Sequence, residues 1–152
     1  MRKEQTGSKI SEYIENVIQI KRVSKKTQGG SNVSFTALVV IGNKNGTVGT
    51  GYGKGKDVTT AISKAIAKAK KELVTVFIKD GTIVHEVLES YGSANVLLKP
   101  APKGAGIIAG GSVRTVVELA GIKDISAKML GSNNKICNIR CTLKALQKFK
   151  SK

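Results

Sequence analysis

The chain has 152 residues and carries 26 Lys and Arg against 10 Asp and Glu, a formal net charge of +16 at pH 7. Its 40% of hydrophobic residues suffices for a packed core, which excludes wholesale disorder, and the excess of positive charge predicts a polyanionic partner. No apolar run approaches the roughly 20 residues of a membrane-spanning helix, and the N-terminal MRKEQTGSK lacks the apolar stretch of a signal peptide. We therefore expect a soluble intracellular protein without a membrane partner.

The first half of the chain predicts three strands followed by a helix. VIQIKRV (17–23) is typical of a strand and is followed by the loop SKKTQGG, and residues 33–52 predict a hairpin turned at GNKNG, with a second strand loosened by glycines. Asp57 can cap a helix from Val58 to about Glu72. Apolar residues recur there with helical spacing at Val58, Ala61, Ile62, Ala65, Ile66, Ala69 and Leu73.

The second half predicts a small antiparallel sheet with two helices. Strands are expected at LVTVFI (73–78), IVHEV (83–87), 94–99 and about 125–130. One helix should run from Val113 to Ala120 and stop at Gly121, and another should run from about Asn134 to Phe149. The fold class is therefore α+β, in two small layers.

Residues that could carry catalysis or bind a metal are sparse. His85 is the single histidine and is expected to be an ordinary strand residue, while Cys137 and Cys141 match neither a redox nor a zinc spacing and are expected to be buried. Without paired carboxylates at a useful spacing, we predict no enzymatic activity, no metal, no cofactor and no small-molecule substrate.

Two glycine-rich stretches invite comparison with nucleotide-binding motifs. Residues 46–57 fail the P-loop pattern, because neither Lys54 nor Lys56 precedes Ser or Thr. Residues 104–109 satisfy GxGxxA, with Asp124 near the distance expected for a ribose contact, so a dinucleotide site there stays an alternative. The same glycines could instead let the backbone pack closely against a neighbour.

Basic residues dominate the first half of the chain. The stretch from Gln19 to Lys71 holds eleven Lys or Arg and one acid, whereas ordinary soluble surfaces mix both signs. Such side chains attract RNA phosphates, and with 4% aromatic residues we expect base stacking to be minor. The candidate RNA-binding residues are Arg22, Lys25, Lys26, Lys44, Lys54, Lys56, Lys64 and Lys68.

Three segments carry a resemblance to a known family. VSKKTQGG, SFTALVVIGNKNGTVGTGYGKGKDVTTAISKAIAKAKKEL and PAPKGAGIIAGGSVRTVVELAGIKDISAKMLGSNN resemble small-subunit ribosomal protein five of bacteria and organelles, over roughly residues 17–147. The resemblance implies two domains. Residues 10–72 would be similar to a double-stranded-RNA-binding fold, and residues 73–152 would form a two-layer α/β domain with a left-handed crossover.

The resemblance also implies a function and partners. The protein would be a structural constituent of the small ribosomal subunit that binds its RNA, supports assembly and decoding fidelity, and lies near the channel where messenger RNA enters. The ribosome would be that of the bacterial cytoplasm or of an organelle. The loops 22–30 and 51–56 would face RNA, which adds Gly29, Gly30, Gly51 and Gly53 to the candidates. Ribosomal proteins four and eight of the small subunit would be neighbours, with protein four at Gly104, Gly106, Gly110, Gly111 and Arg114.

Two other classes of function stay open at this point. A nucleotide-binding protein or enzyme would use the segment 104–109 and would be stabilised by a dinucleotide. A free-standing regulator that binds double-stranded RNA would use the first domain but would give no reason for the second. Cosedimentation with small ribosomal subunits separates both from the ribosomal interpretation.

Overall fold

The structure, a computed structural model, describes residues 13–149. Within this range the chain forms eight strands and three helices. In chain order these are β1 (Ile14–Thr27), β2 (Gly30–Gly42), β3 (Thr47–Gly55), α1 (Val58–Lys71), β4 (Val74–Thr75), β5 (Val87–Tyr91), β6 (Ala94–Pro100), β7 (Ile107–Ile108), α2 (Gly111–Ala120), β8 (Ile125–Met129) and α3 (Lys135–Gln147).

The strands form two four-stranded sheets, in the orders β1-β2-β3-β4 and β5-β6-β8-β7. The chain divides into two compact units, which do not coincide with continuous segments. Residues 15–41 and 49–73 form one, here called the N-terminal unit. The described residues 13–14, 42–48 and 74–149 form the other, here called the C-terminal unit. The predicted boundary between residues 72 and 73 stays a prediction, while the α+β class with two sheets and three helices is confirmed.

The N-terminal unit joins β3 to α1 through glycines and alanines. Gly49, Gly51 and Gly53 alternate along β3 and are buried, and the alanines at 61, 65 and 69 are the buried residues of α1. A Cβ on Gly51 would overlap the Ala65 carbonyl oxygen and lie 2.8 Å from the Ala69 nitrogen. Because hydrogen replaces a side chain at every second position, the helix backbone can lie directly on the strand. We call this contact the glycine–alanine interface.

The structure corrects one prediction about the glycine-rich stretch and refines another. Residues 53–55 were expected to belong to a loop before the helix, but β3 continues to Gly55, since alternate glycines suit a strand covered closely by a helix. Asp57 does occupy the N-cap position of α1, but its side chain makes no capping hydrogen bond. The predicted helical face is otherwise confirmed, with Ile62 and Ile66 half-buried beside the alanines.

The tip of the β2–β3 hairpin, residues 42–48, belongs to the C-terminal unit. There the Lys44 amide donates to the Leu119 carbonyl at 2.9 Å, and the Gly46 amide donates to the Ala120 carbonyl at 2.8 Å. These carbonyls lie in the last turn of α2, where a helix has no internal donors for them. Gly121 ends α2 with φ +97°, which confirms the predicted C-terminal cap.

Strand positions in the C-terminal unit differ from those predicted. The expected strand 73–78 is reduced to β4, which pairs with β3 at Thr47 and Val48. The expected strand 83–87 is displaced, because β5 begins at Val87 and pairs with β6. The alternation of apolar residues predicts that a strand is present but not which strand it pairs with. Because pairing determines where these strands begin, their predicted positions were wrong.

The second sheet has helices on one face. The helix α3 packs against β5, β6 and α2, and α2 packs against β7. β7 runs parallel to β8 and is connected to it through α2. This strand was not predicted from the sequence, because two residues are too few to show a periodic pattern. The crossover's predicted left hand stays a prediction. The buried residues on the helix side are Val87, Glu89, Ala94, Val96, Leu98 and Ile125.

Candidate nucleic-acid interface

The hairpin formed by β1 and β2 ends in an arm that is exposed along its whole length. Residues 21–33 are exposed on both strands, and residues 28 and 29 make the turn. The Thr27 hydroxyl donates to the Gly30 carbonyl at 3.0 Å, and Gly30 has φ +135°, a conformation that glycine adopts readily. We call residues 21–33 the basic arm. Its residues 24–30 were predicted as a loop after a strand at 17–23, but both strands continue to the turn.

The basic arm carries positive charge on both of its faces. Side chains alternate along a strand, so Arg22 and Lys26 point to one face while Lys21 and Lys25 point to the other. No acidic residue occurs between Glu15 and Asp57. A two-stranded ribbon without a covered face is marginally stable in water, and like charges on both faces repel one another. The arm is therefore suited to a site where anions surround it.

The outer face of β3 provides a second group of cations. Lys54 is exposed and alternates with the buried Gly53 and Gly55, and Lys56 is exposed just beyond the strand, so the glycines face α1 while Lys54 faces away. Tyr52 on the same side is 36% exposed. Gly51 and Gly53, named above as candidates, lie under the helix backbone, so the structure brings them to α1 and not to the surface.

The remaining predicted cations occupy separate places. Lys64 and Lys68 are exposed one helical turn apart on α1, and Lys71 extends the same flank. Lys44 is exposed at the hairpin tip with φ +60°, in the C-terminal unit, and so is not grouped with the arm. Sequence reasoning omitted Lys21, although its position in the basic stretch was a sufficient signal.

The glycine-rich segment 104–111 forms a loop between β6 and α2. Gly104 and Gly106 have φ of +91° and +77°, and the Gly106 amide donates to the Asp124 carboxylate at 2.9 Å. Asp124 is buried, so the carboxylate considered for a ribose contact instead holds this loop. The glycines also follow β6 without leading directly into a helix, since β7 intervenes. The geometry therefore argues against the dinucleotide site.

The segment's other predicted residues lie at the start of α2. Gly111 is exposed and has no atom within 4 Å of a Cβ built on it, whereas a Cβ on Gly110 would overlap the Met129 side chain. Arg114 is exposed and its Nε donates to the Glu118 carboxylate at 3.0 Å, one turn along the helix. Gly111 and Arg114 are thus accessible from outside, while Gly110 is used internally.

An ion-paired cluster that sequence reasoning missed joins β5 to α3. Glu89 is 8% exposed and pairs with Lys148 and with Lys144, the latter at 3.4 Å. The hydrogen bond from Lys148 lowers the pKa of Glu89 against the opposing effect of burial. Burial raises the pKa of the Cys141 thiol, which donates to the Glu89 carbonyl at 3.1 Å. Cys141 is buried as predicted, and Cys137 is half-buried.

The described residues contain neither a membrane-spanning helix nor a cluster of metal ligands. No helix in the range 13–149 is long and apolar enough to cross a bilayer. In the same range no three His, Cys, Asp or Glu side chains converge as metal ligands would. His85, expected in a strand, lies before β5, and its ring meets Phe149 edge-on at a centroid distance of 5.1 Å.

Comparison with known proteins gives consistent matches along the chain. Residues 13–77 match the family described as ribosomal protein S5, N-terminal domain, and residues 89–152 match ribosomal protein S5, C-terminal domain. Among curated proteins, small ribosomal subunit protein uS5 of Campylobacter jejuni strains 81-176, 81116 and RM1221 is similar to this chain. Each is 52% identical over 139 residues, which cover 91% of this chain and 95% of the relative.

Proposed function

The chain belongs to the ribosomal protein S5 family and is a structural, non-enzymatic constituent of the small ribosomal subunit, and we propose that it acts there by holding ribosomal RNA with its basic arm and the lysines of β3 and α1. The RNA-binding residues in this proposal are Arg22, Lys25, Lys26, Gly29, Gly30, Lys54, Lys56, Lys64 and Lys68.

The observation that carries the proposal is the two-sided charge of the arm. Lys21 and Lys25 project to one face and Arg22 and Lys26 to the other, and every residue from 21 to 33 is exposed. An arm with one charged face would suit the outside of a duplex. Charge on both faces suits insertion between RNA backbones, where phosphates lie on either side. The turn glycines Gly29 and Gly30 add backbone close to any such phosphate.

Gly51 and Gly53 have a different role in this proposal. They keep β3 against α1 and thereby fix the direction in which Lys54 points. Because a strand position is more rigid than a loop, Lys54 approaches its phosphate with little loss of conformational freedom. Lys44 is kept as a separate, peripheral contact to RNA.

Neighbouring molecules follow from the family resemblance. We propose that the segment 104–114 meets ribosomal protein four through the exposed Gly104, Gly111 and Arg114, that Gly106 and Gly110 shape this segment from inside, and that protein eight is a second neighbour. Near these proteins the chain would border the channel where messenger RNA enters, and their contact would support decoding fidelity. The relatives come from Campylobacter, which favours the ribosome of a bacterial cytoplasm over that of an organelle.

A gradient experiment tests the proposal. The full chain should cosediment with small ribosomal subunits, and the variant R22A/K25A/K26A should do so less, with a weaker salt dependence of RNA binding by about one unit of slope per lost phosphate contact. The control K79A/K123A/K135A removes the same charge at three exposed positions outside the basic arm. Equal behaviour of the two variants would refute a specific role for the arm.

A further inference from the structure

The sheet β5-β6-β8-β7 of the C-terminal unit has an open face whose charged side chains are all positive, as in the basic arm. The helices α2 and α3 lie on its other face. The alternation of side chains along each strand and the pairing register identify the side chains that point away from the helices. They are Leu88 and Ser90 on β5, Asn95, Leu97 and Lys99 on β6, Ser126 and Lys128 on β8, and Ile108 on β7. None of these is acidic.

The two lysines of this face lie at its centre. β6 and β8 are the inner strands of the sheet, and their register pairs Lys99 with Ser126 and Leu97 with Lys128. Lys99 and Lys128 are therefore diagonal neighbours, with Cβ atoms within about 8 Å of each other. A shallow depression of about 160 Å³ lies between them and is lined by Leu97, Lys99, Ser126, Ala127 and Lys128.

Neither lysine is neutralised within the described residues. Lys70, Arg114, Lys144 and Lys148 have carboxylate partners there, whereas Lys99 and Lys128 have none among the ion pairs of residues 13–149. Like charges on diagonal positions repel, so the pair destabilises the isolated sheet. A bound anion between the two ammonium groups would remove that repulsion, and the Ser126 hydroxyl could donate to the same anion.

We propose that this open sheet face is a further RNA-binding surface, with a backbone phosphate held between Lys99 and Lys128. The proposal rests on the function proposed above and adds a contact in the C-terminal unit. The distribution of charge favours RNA over a protein partner. Protein interfaces place apolar residues at the centre and charge at the rim. Here both lysines lie on the inner strands beside the half-buried Leu97, and the most exposed apolar residues, Leu88 and Ile108, each 61% exposed, lie on the outer strands.

The mode of recognition follows from the other side chains of the face. It carries no aromatic residue on which a base could stack, so stacking of splayed bases is excluded there. Ser90, Asn95 and Ser126 can exchange hydrogen bonds with ribose 2′-hydroxyl groups, which a duplex of RNA displays in its wide, shallow minor groove. The expected ligand is therefore the backbone of a folded or double-stranded RNA region, recognised by shape.

Protection of lysine side chains from acetylation tests this surface. The full chain is bound to protein-free small-subunit RNA, acetylated briefly and mapped by mass spectrometry. Lys99 and Lys128 should be protected to the level of the arm residue Lys25, while the exposed Lys79 and Lys135 should react as in the free protein. Protection of Lys25 with full reactivity of Lys99 and Lys128 would overturn the inference and leave the proposed function intact. Loss of protection at all three would count against both.

A second measurement separates RNA from a protein occupant. The variant K99A/K128A should flatten the salt dependence of RNA binding by about one unit of slope, as expected for one lost phosphate contact, and K99R/K128R, which keeps the charge, should restore it. The matched control K79A/K135A should leave the slope unchanged. Protection of Lys99 and Lys128 in the assembled subunit but not with naked RNA would show a protein on this face and overturn the proposal.

Discussion

The glycine–alanine interface makes a strong prediction for Gly51→Ala. The added Cβ would overlap the Ala65 carbonyl oxygen and lie 2.8 Å from the Ala65 carbonyl carbon and the Ala69 nitrogen, all backbone atoms. Ordinary contact begins at 3.4 Å, so relieving the two contacts at 2.8 Å alone requires α1 to move by about 0.6 Å, and relieving the closer overlap with the Ala65 carbonyl oxygen requires a larger movement. Overpacking typically costs about 1–3 kcal/mol, and because no flexible side chain can yield here we expect about 3 kcal/mol.

Thermal unfolding followed by circular dichroism measures this cost. For a chain of this size about 3 kcal/mol corresponds to a fall in Tm of roughly 6–12 °C. The control Gly29→Ala has no atom within 4 Å of the new Cβ and should stay within about 0.5 kcal/mol of the wild type. A G51A variant that keeps the wild-type Tm but loses RNA affinity would refute the packing argument and return Gly51 to direct RNA contact.

Three further predictions concern other parts of the chain. Gly111→Ala places a methyl group in open space at the start of α2, so the free energy of unfolding should stay the same or rise by up to about 1 kcal/mol, and the Tm should not fall. Because the proposed neighbour packs against Gly111, incorporation of this variant into small subunits should decrease. K54A/K56A should flatten the salt dependence of RNA binding without changing the Tm. Glu89→Gln should lower stability at pH 7, and the deficit should shrink as the pH falls below about 4.3, because the pKa of Glu89 is lowered in the folded state.

Each of these has an outcome that contradicts it. Normal incorporation of G111A would remove the argument for close packing at α2. Partial unfolding of K54A/K56A would mean that these lysines stabilise β3. For Glu89 the sign is fixed by linkage: a depressed pKa gives stability that is present above the unfolded value and lost as the carboxylate protonates. Urea titrations in which the E89Q deficit stays constant from pH 7 to pH 3 would contradict this assignment.

Local signals were sufficient to predict several elements from the sequence. The helix predicted from Val58 to about Glu72 is observed to Lys71, and Gly121 ends α2 as expected, because both depend on residues within a few positions. The hairpin of β2 and β3 was also local, since GNKNG permits a turn. Charge identified Arg22, Lys25, Lys26, Lys54 and Lys56 as surface cations, and all are exposed.

Features that depend on distant residues were not predictable in this way. The apolar run 73–78 resembles an ordinary strand, yet only Val74 and Thr75 pair, because the available edge is the end of β3. The glycines of β3 look like a loop until the alanines of α1 lie on them. The pairing of Glu89 with Lys144 and Lys148 joins residues more than fifty positions apart, for which a single sequence gives no signal.

The assignment of residues 42–48 to the C-terminal unit has a consequence for biosynthesis. The Lys44 and Gly46 amides donate to the last carbonyls of α2, which leave the ribosome that makes this chain some seventy residues later. The hairpin can form early with these two amides hydrogen-bonded to water, and the carbonyls of α2 replace that water once the helix has been made and packs over them. A fragment that starts at residue 73 would lack these donors at the end of α2. The C-terminal unit is therefore completed by a piece of chain translated long before the rest of it.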